Sequence, residues 1–385
     1  MKKNHFLLLI VLLTGCTKPV HIRVTNSAGI PVSKVAAIEL AGSGLKNVSM
    51  DERLTVEDDQ GEQIPSQLID DDQDGIADQL AIQVSLPAGS SVRYAVISDA
   101  QSGGDTGGRT YSRFIPERMD DFAWENDKVA FRVYGPACQE LFEQGIPGGL
   151  ISSGIDCWLK RVEYPIIDKW YAKNTAGGSY HEDDGEGLDN FHVGTGRGSG
   201  GTAIRHKGSF VCSENFSEWE IITNGPLRSV FRLKYEPVLV DGKPVAESKT
   251  FTIDAGDNFF RCDVSFDAPL RLDTLAIGLT LHDNLGTSNS SDDGWITYWE
   301  PIQDSEIGMG AWVRKEAMLG AEKIENAGKD QDHIWLYAAL KDNKCTYYSG
   351  FGWKKAGEFT TQKLWEEYVQ DQTLKLANPL DVSFD

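Results

Sequence analysis

The chain has 385 residues, 40% of them hydrophobic and 10% aromatic, so it can bury a large core and is long enough for about two domains. Its 58 acidic and 37 basic residues give a formal net charge of −21, which repels nucleic-acid phosphates and argues against a nucleic-acid partner. The 39 glycines, spread among tyrosines, tryptophans and short polar breaks, favour strands joined by turns over long helices. We therefore expect a mostly β protein.

Residues 1–16 predict a lipoprotein signal peptide. Lys2 and Lys3 form a positive end, and the apolar run from Phe6 to Leu13 is far shorter than the ~20 residues that span a bilayer. The sequence Leu13-Thr14-Gly15-Cys16 resembles the bacterial lipoprotein box, which implies acylation of Cys16 as the first mature residue. We expect a membrane-anchored lipoprotein, periplasmic or on the cell surface, with a plain secretory peptide as the alternative.

The remaining cysteines argue against a zinc cluster and a full disulfide framework. Their number is odd, they are widely spaced and no C-x-x-C pair occurs. Either one or two disulfides in an oxidising periplasm or buried free thiols fit this pattern. The five positions are Cys138, Cys157, Cys212, Cys262 and Cys345.

Apolar and polar residues alternate over residues 21–98, which predicts a small N-terminal β domain. Glycine-rich residues 99–110 predict a linker. Residues 111–385 contain further strand patterns, an Asp241-Gly242 hairpin signal and one late helix near residues 359–370, and they suit a large antiparallel β-sandwich.

An acidic loop in the N-terminal region resembles a calcium-binding loop. Asp70, Asp72, Asp74 and Asp78 occupy its positions 1, 3, 5 and 9, and Gly75 stands at the tight turn. The bidentate glutamate of position 12 is missing. The alternatives are a calcium site that stiffens the turn and a solvated hairpin without metal; we expect no other cofactor to be required.

Residues 157–171 and 179–201 depart from the strand pattern. They carry both charge signs, two histidines and many glycines, so we expect an irregular, shaped site instead of a regular strand. Gly196 to Gly201 fits G-x-G-x-x-G, but no strand–helix–strand context surrounds it, so the pattern does not indicate a dinucleotide site.

The ionisable residues of these segments have three interpretations. They are metal ligands, proton-transfer groups or structural hydrogen-bonding groups, and their spacing matches no established metal motif. The residues are His181, Asp183, Glu186, Asp189 and His192.

Cations and aromatic residues in the same region suggest recognition of an acidic sugar. Arg161, Lys169 and Arg197 would form a positive pocket for a carboxylate or sulfate, unless they pair with neighbouring acids. Trp170 and Tyr171 offer flat faces for a pyranose ring, although each aromatic residue alone is more often core. A second polar cluster, residues 282–300 with His282, would complete the wall of the cleft.

At these residues the sequence resembles the secreted Bacteroidota domain-of-unknown-function family 4861. The resemblance rests on Asp156 to Tyr171, on Tyr180 to Asp189 and on Val193-Gly194. It implies a galactose-mutarotase-like β-sandwich and a setting beside polysaccharide-degrading enzymes. Family members often carry His where this chain has Asp184, which weakens mechanisms that need a second imidazole in this motif.

The leading hypothesis is an enzyme that cleaves acidic oligosaccharides by elimination at a uronic acid. Such a reaction needs a cation at the carboxylate, a base for the adjacent proton and an acid for the departing oxygen. The assigned residues are Arg161 with Lys169 or Arg197 as cations, His181 or His192 as base, Tyr180 as acid, and Glu186 and Asp189 as orienting groups. A glycoside hydrolase that uses Glu186 and Asp189 as paired carboxylates and a non-catalytic sugar-binding lipoprotein are the alternatives.

Overall fold

The computed structural model describes residues 18–98 and 108–385, and confirms the expectation of a mostly β fold built from antiparallel sheets. Cys16 and residues 99–107 of the predicted linker lie outside the described residues. Among the described helices, none is long and apolar enough to cross a membrane. The five cysteines between Cys138 and Cys345 are free thiols, and four of them are buried.

The elements follow one another in three groups. The first comprises β1 (Val20–Thr25), β2 (Val32–Glu39), β3 (Leu54–Glu57), β4 (Gln63–Ile64), β5 (Ser66–Ile69), β6 (Gln79–Leu86) and β7 (Ser91–Ser98). The second comprises β8 (Thr110–Ile115), β9 (Asp121–Asn126), β10 (Ala130–Val133), α1 (Pro136–Glu143), β11 (Asp156–Lys160), α2 (Ile167–Thr175) and β12 (Gly187–Leu188). The third comprises β13 (Ser199–His206), β14 (Ser209–Val211), β15 (Phe216–Asn224), β16 (Arg228–Tyr235), β17 (Val238–Val240), β18 (Lys243–Asp254), β19 (Phe259–Asp267), β20 (Thr274–Thr280), β21 (Thr287–Ser291), β22 (Trp295–Ile302), β23 (Ser305–Trp312), β24 (Met318–Ile324), β25 (His333–Ala339), β26 (Lys344–Trp353), α3 (Gln362–Ala377) and β27 (Asp381–Phe384). Short 3₁₀ helices occur at Pro116–Arg118, Lys315–Ala317 and Lys354–Ala356.

The N-terminal region packs two sheets around its own apolar core. One sheet has the order β27-β1-β7-β3-β4 and the other β2-β6-β5. Every second residue of β6 is apolar and buried, as expected for a strand with one face in a core. The C-terminal strand β27 pairs with β1, so the end of the chain returns to the N-terminal region.

Gln67 joins this region to the sandwich. Its Oε1 accepts from the backbone N–H groups of Leu227 and Arg228, and its Nε2 donates to the Arg228 carbonyl and to Thr223 Oγ1. A Cβ on Gly225 would lie 2.2 Å from Gln67 Nε2, so a larger residue there would displace the Gln67 amide from these hydrogen bonds. All four hydrogen-bonding positions of the Gln67 amide are therefore used to hold the two parts together.

The large β-sandwich encloses the main core. A nine-stranded sheet, β15-β16-β18-β19-β26-β23-β22-β21 with β17 on β18, packs against the sheets β12-β11-β10-β9-β8 and β14-β13-β20-β25-β24. The Asp241-Gly242 hairpin prediction is confirmed, since both residues take positive φ between β17 and β18. The predicted late helix is α3, which begins at Gln362 and ends at Ala377.

Helix α3 covers the outer face of the nine-stranded sheet. Trp365 is fully buried and stacks on Phe259 with ring centroids 5.4 Å apart. Thr361 caps the helix, because its Oγ1 accepts from the Leu364 N–H. The chain continues from α3 into β27, which pairs with β1 of the N-terminal region.

Candidate functional site

The segment around residues 157–171 is regular, which corrects the expectation of an irregular site. Asp156–Lys160 forms strand β11 and Ile167–Thr175 forms helix α2. Cys157 and Leu159 face the main core, while the alternate residues of β11 face α2. Both faces of β11 are thus buried, one against the main core and the other against α2.

The aromatic residues of the motif form a core, not a sugar platform. Trp158 stacks on Trp170 with centroids 5.4 Å apart, and Tyr171 and Tyr180 close the cluster. Trp170 and Tyr171 are 4% and 1% exposed. The prediction that these two side chains contact substrate is wrong, because α2 turns their rings inward against β11.

A buried charge cluster lies beside these rings. Arg132 is 4% exposed, and its guanidinium donates from Nε to Asp156 Oδ2 at 2.9 Å and from Nη2 to Asp189 Oδ2 at 2.9 Å. Asp121 lies 3.7 Å from Nη1. Burial and the neighbouring Asp156 carboxylate raise the pKa of Asp189 against the opposing charge of Arg132. Burial likewise raises the pKa of Asp121 to about 6.

This cluster changes the roles expected for Tyr180 and Asp189. The Tyr180 hydroxyl accepts from Arg132 Nη1 at 3.3 Å and is 4% exposed, so it is not available as a general acid to a bound sugar. Asp189 is 1% exposed. It is therefore not available as one of two carboxylates that flank a glycosidic bond.

A second buried ion pair fixes the start of α2. Lys160 Nζ lies 2.8 Å from Glu125 Oε2, and Glu125 also accepts from the backbone N–H groups of Ile166 and Ile167. A carboxylate at these N–H groups satisfies donors that the first helical turn leaves free. The motif's Lys160 is thus a structural residue.

Paired charges lie at the exposed edge of the segment that contains β11, α2 and β12. Arg161 Nη2 donates to Asp183 Oδ1 at 2.7 Å, and its guanidinium lies 5.6 Å from the centre of the Trp353 ring. Glu186 accepts from Lys169, and from the Trp170 indole N–H at 3.2 Å. The Arg161 N–H donates to the Glu186 carbonyl at 2.9 Å, so the structure brings Arg161, Lys169 and Glu186 to one edge.

His181 is oriented with one ring nitrogen directed to solvent. Its Nδ1 lies 2.5 Å from the Asp189 carbonyl oxygen and 3.8 Å from Asp189 Oδ2. A carbonyl oxygen can only accept, so Nδ1 carries a proton and Nε2 keeps a lone pair in the neutral ring. The side chain is 59% exposed. His181 therefore has the geometry of an accessible base.

The His282 side chain is hydrogen-bonded to the backbone of His192. His282 Nε2 donates to the His192 carbonyl at 2.7 Å, and Nδ1 lies 2.5 Å from Glu300 Oε1. Both partners are acceptors, which requires a doubly protonated His282. Burial opposes this charge, but the Glu300 carboxylate outweighs it and raises the pKa of His282. His192 itself is 60% exposed, with Nε2 3.2 Å from Asp330 Oδ2.

Arg197 points away from these groups. It is 6% exposed, donates to Ser153 Oγ at 3.0 Å and to the Thr195 carbonyl, and its backbone N–H donates to His333 Nε2. Its predicted contact with substrate is wrong, because the guanidinium is buried and donates to Ser153 and to the Thr195 carbonyl. Burial lowers the pKa of His333 to about 4, consistent with a neutral acceptor ring.

The acidic loop gathers three of its four predicted aspartates. One carboxylate oxygen each of Asp70, Asp72 and Asp78 lies within 4.8 Å of the others. Asp74 lies outside this set and accepts from the Ile76 N–H. Both Asp70 oxygens also accept backbone N–H groups of the loop, a geometry that serves a bare turn as well as an oxygen-ligand site.

Sequence reasoning missed Arg132 and Asp330. The signal for Arg132 was a single cation inside the apolar stretch 129–134, a position that demands buried partners. Asp330 precedes β25, and no pattern in the sequence around it indicates a functional role.

A cavity of about 130 Å³ adjoins Arg161 and Trp353, and His181, Glu186 and His192 lie outside its lining.

Two solved structures define the fold class. The chain matches a protein of glycosyl hydrolase family 38 from Enterococcus faecalis with TM-score 0.53 and 9% identity, over 95% of this chain and 47% of that one. It matches an alpha-mannosidase from Enterococcus faecalis V583 with TM-score 0.51 and 10% identity, over 96% and 46%. The chain thus spans about half the length of these structures, and identities this low establish the fold alone.

The family is established by sequence. The family model described as "Domain of unknown function (DUF4861)" matches residues 24–382, so the chain belongs to this family and the resemblance is confirmed. A relative from Formosa agariphila, "Uncharacterized protein P7", is 45% identical over 324 residues, which cover 83% of this chain and 81% of the relative.

Proposed function

We propose that this protein is a lipoprotein that acts on acidic oligosaccharides, by elimination at uronic acid residues. The orientation of His181 carries the proposal, because a solvent-directed imidazole nitrogen held by a backbone carbonyl suits a general base. A carbohydrate-related role is also supported by the fold shared with the glycosyl hydrolase family 38 protein and the alpha-mannosidase.

His192 replaces Tyr180 as the acid in this proposal. Tyr180 is enclosed, whereas His192 is exposed, with its Nε2 3.2 Å from Asp330 Oδ2. His181 Nδ1 is bonded to the Asp189 carbonyl, and two residues lie between Asp189 and His192, so the Cα atoms of Asp189 and His192 are at most about 11 Å apart. His181 takes the proton adjacent to the carboxylate, the bond to the departing sugar oxygen breaks, and His192 protonates that oxygen.

The test is the appearance of unsaturated uronate absorbance when the purified protein is incubated with a panel of acidic oligosaccharides. His181→Ala is expected to lower the rate by about 10²–10⁴-fold, the usual contribution of a positioned base. His206→Ala is the matched control, since His206 lies at the end of β13 and pairs with Asp241 in the β17–β18 turn. Wild-type rates in His181→Ala would refute the assignment.

A non-catalytic sugar-binding protein is the second candidate. It is favoured by the pairing of Arg161 with Asp183 and of Lys169 with Glu186, which leaves neither cation free for a substrate carboxylate. Binding without new absorbance or new chain ends across the panel would establish it over the lyase. A hydrolase that uses Glu186 and Asp189 is not supported, because Asp189 is buried against Arg132.

Two further parts of the proposal concern the N-terminal region. We propose that lipidation of Cys16 anchors the protein to a membrane surface, in the periplasm or on the cell surface; partition of the full-length chain into the detergent phase of Triton X-114 tests this. We also propose that Asp70, Asp72 and Asp78 bind calcium, which would stiffen the turn without a role in catalysis.

A further inference from the structure

A groove separates the N-terminal region from the sandwich. It consists of two adjoining cavities of about 400 Å³ and 900 Å³ that share Lys34, Asp254, Asp257, Gln372 and Lys375 in their linings. We call it the interdomain groove; its walls are β2, the strands β16, β18 and β19, and helix α3. Both volumes fall in the range of ligand clefts.

Three polar side chains that line both cavities make no hydrogen bond and no ion pair within 4 Å among the described residues, although Asp254 and Asp257 act electrostatically on Lys34. Lys34 and Lys375 are half-buried and form no ion pair with a described carboxylate, although Lys375 lies 5.9 Å from the Tyr368 ring centre. Gln372 is 9% exposed, and its amide makes no hydrogen bond within the described chain. Burial, together with the charges of Arg228 and Lys375, lowers the pKa of Lys34 despite two nearby aspartates. An anion and a hydroxyl in the groove would supply the hydrogen bonds that these side-chain ends lack.

The carboxylates at the centre of the groove are already engaged. Asp254 accepts two hydrogen bonds from Arg228, at 2.6 and 2.7 Å. Asp257 accepts from the Tyr368 hydroxyl at 3.0 Å, and burial raises its pKa. The two lysines are therefore the cations at the centre that remain for an anion.

An aromatic pair lies at one end of the same groove. Trp312 and Tyr348 stack in parallel with centroids 3.7 Å apart. Trp312 is 4% exposed and its Nε1 is enclosed, so the accessible member of the pair is the half-buried Tyr348, whose hydroxyl makes no hydrogen bond with another described residue. The ring and hydroxyl of Tyr348 therefore suit the ring and a hydroxyl of a sugar.

We propose that the interdomain groove binds an acidic sugar, with its carboxylate or sulfate between Lys34 and Lys375 and its hydroxyls at Gln372. This site shares no residue with the His181 region. It would hold an anionic glycan whether or not the protein catalyses elimination.

Calorimetric titration with digalacturonate, galactose 6-sulfate, galactose and inorganic sulfate tests the proposal. Binding of at least one acidic sugar is expected, and Lys34→Gln/Lys375→Gln should weaken it by roughly a hundredfold, about tenfold for each charge-assisted contact. Lys46→Gln/Lys341→Gln, which removes the same charge at exposed positions, should bind like wild type. His181→Ala should also bind like wild type, which separates this site from the proposed catalytic one.

Acetylation of lysines followed by mass spectrometry measures, in the wild-type protein, which lysines a bound sugar protects. The bound acidic sugar should protect Lys34 and Lys375 and leave Lys46 labelled. Equal affinity for galactose, equal affinity for inorganic sulfate, or unchanged binding in a folded Lys34→Gln/Lys375→Gln variant would each overturn the proposal. The sugar that binds, digalacturonate or galactose 6-sulfate, identifies the anion as carboxylate or sulfate.

Discussion

Replacement of Arg132 by Met tests the buried charge cluster. Arg132 is 4% exposed and contacts Asp156 and Asp189 directly, with Asp121 3.7 Å away. Removal of its charge leaves Asp156 and Asp189 without a cation in contact, so these buried carboxyl groups must stay unpaired anions or take up protons, while Arg118 remains on Asp121. Breaking one buried ion pair costs about 3–5 kcal/mol, which is the loss expected for Arg132→Met.

Urea unfolding followed by tryptophan fluorescence at pH 7 measures this loss. Arg232→Met is the matched control, because Arg232 pairs with a half-exposed Glu220 and should cost less than about 1 kcal/mol. Adding Asp189→Asn to Arg132→Met should restore about 1–3 kcal/mol, since an amide at this position needs neither a cation nor a bound proton. A loss in Arg132→Met no larger than in Arg232→Met would refute the reasoning, since it would mean that the buried carboxyl groups do not depend on Arg132.

Two other predictions concern histidine and calcium. The pKa of His282 is raised in the folded protein, so its contribution to stability is complete below about pH 6.5 and is lost as pH rises through the folded pKa. The thermal unfolding temperature, measured between pH 5.5 and 8.5, should therefore fall with pH in wild type and not show this loss in His282→Gln. If the acidic loop binds calcium, the ion at about 100 times its Kd should stabilise the fold by about 2.7 kcal/mol. The double variant Asp72→Asn/Asp78→Asn should lose this stabilisation. Identical unfolding temperatures with calcium and with EDTA would identify a metal-free hairpin instead.

Local signals in the sequence predicted much of the fold. Alternation located strands such as β6 and β19, and Asp241-Gly242 located a hairpin, because strand faces and turn backbone angles depend on neighbouring residues. The motif residues Asp156 to Tyr171 identified the family. Helix α2 escaped notice, because its charged and aromatic residues resemble those of a binding loop.

Only the tertiary structure decided which motif residues are exposed. Trp170 and Tyr171 look like a sugar platform in sequence, yet α2 packs both rings against β11. Arg132 lies 24 residues from Asp156 and 57 from Asp189, and antiparallel strand pairing brings the three together. The groove between Lys34 and Lys375 likewise joins opposite ends of the chain. A sequence fixes which residues can carry charge, but burial depends on what packs above them, and that follows from contacts between distant segments.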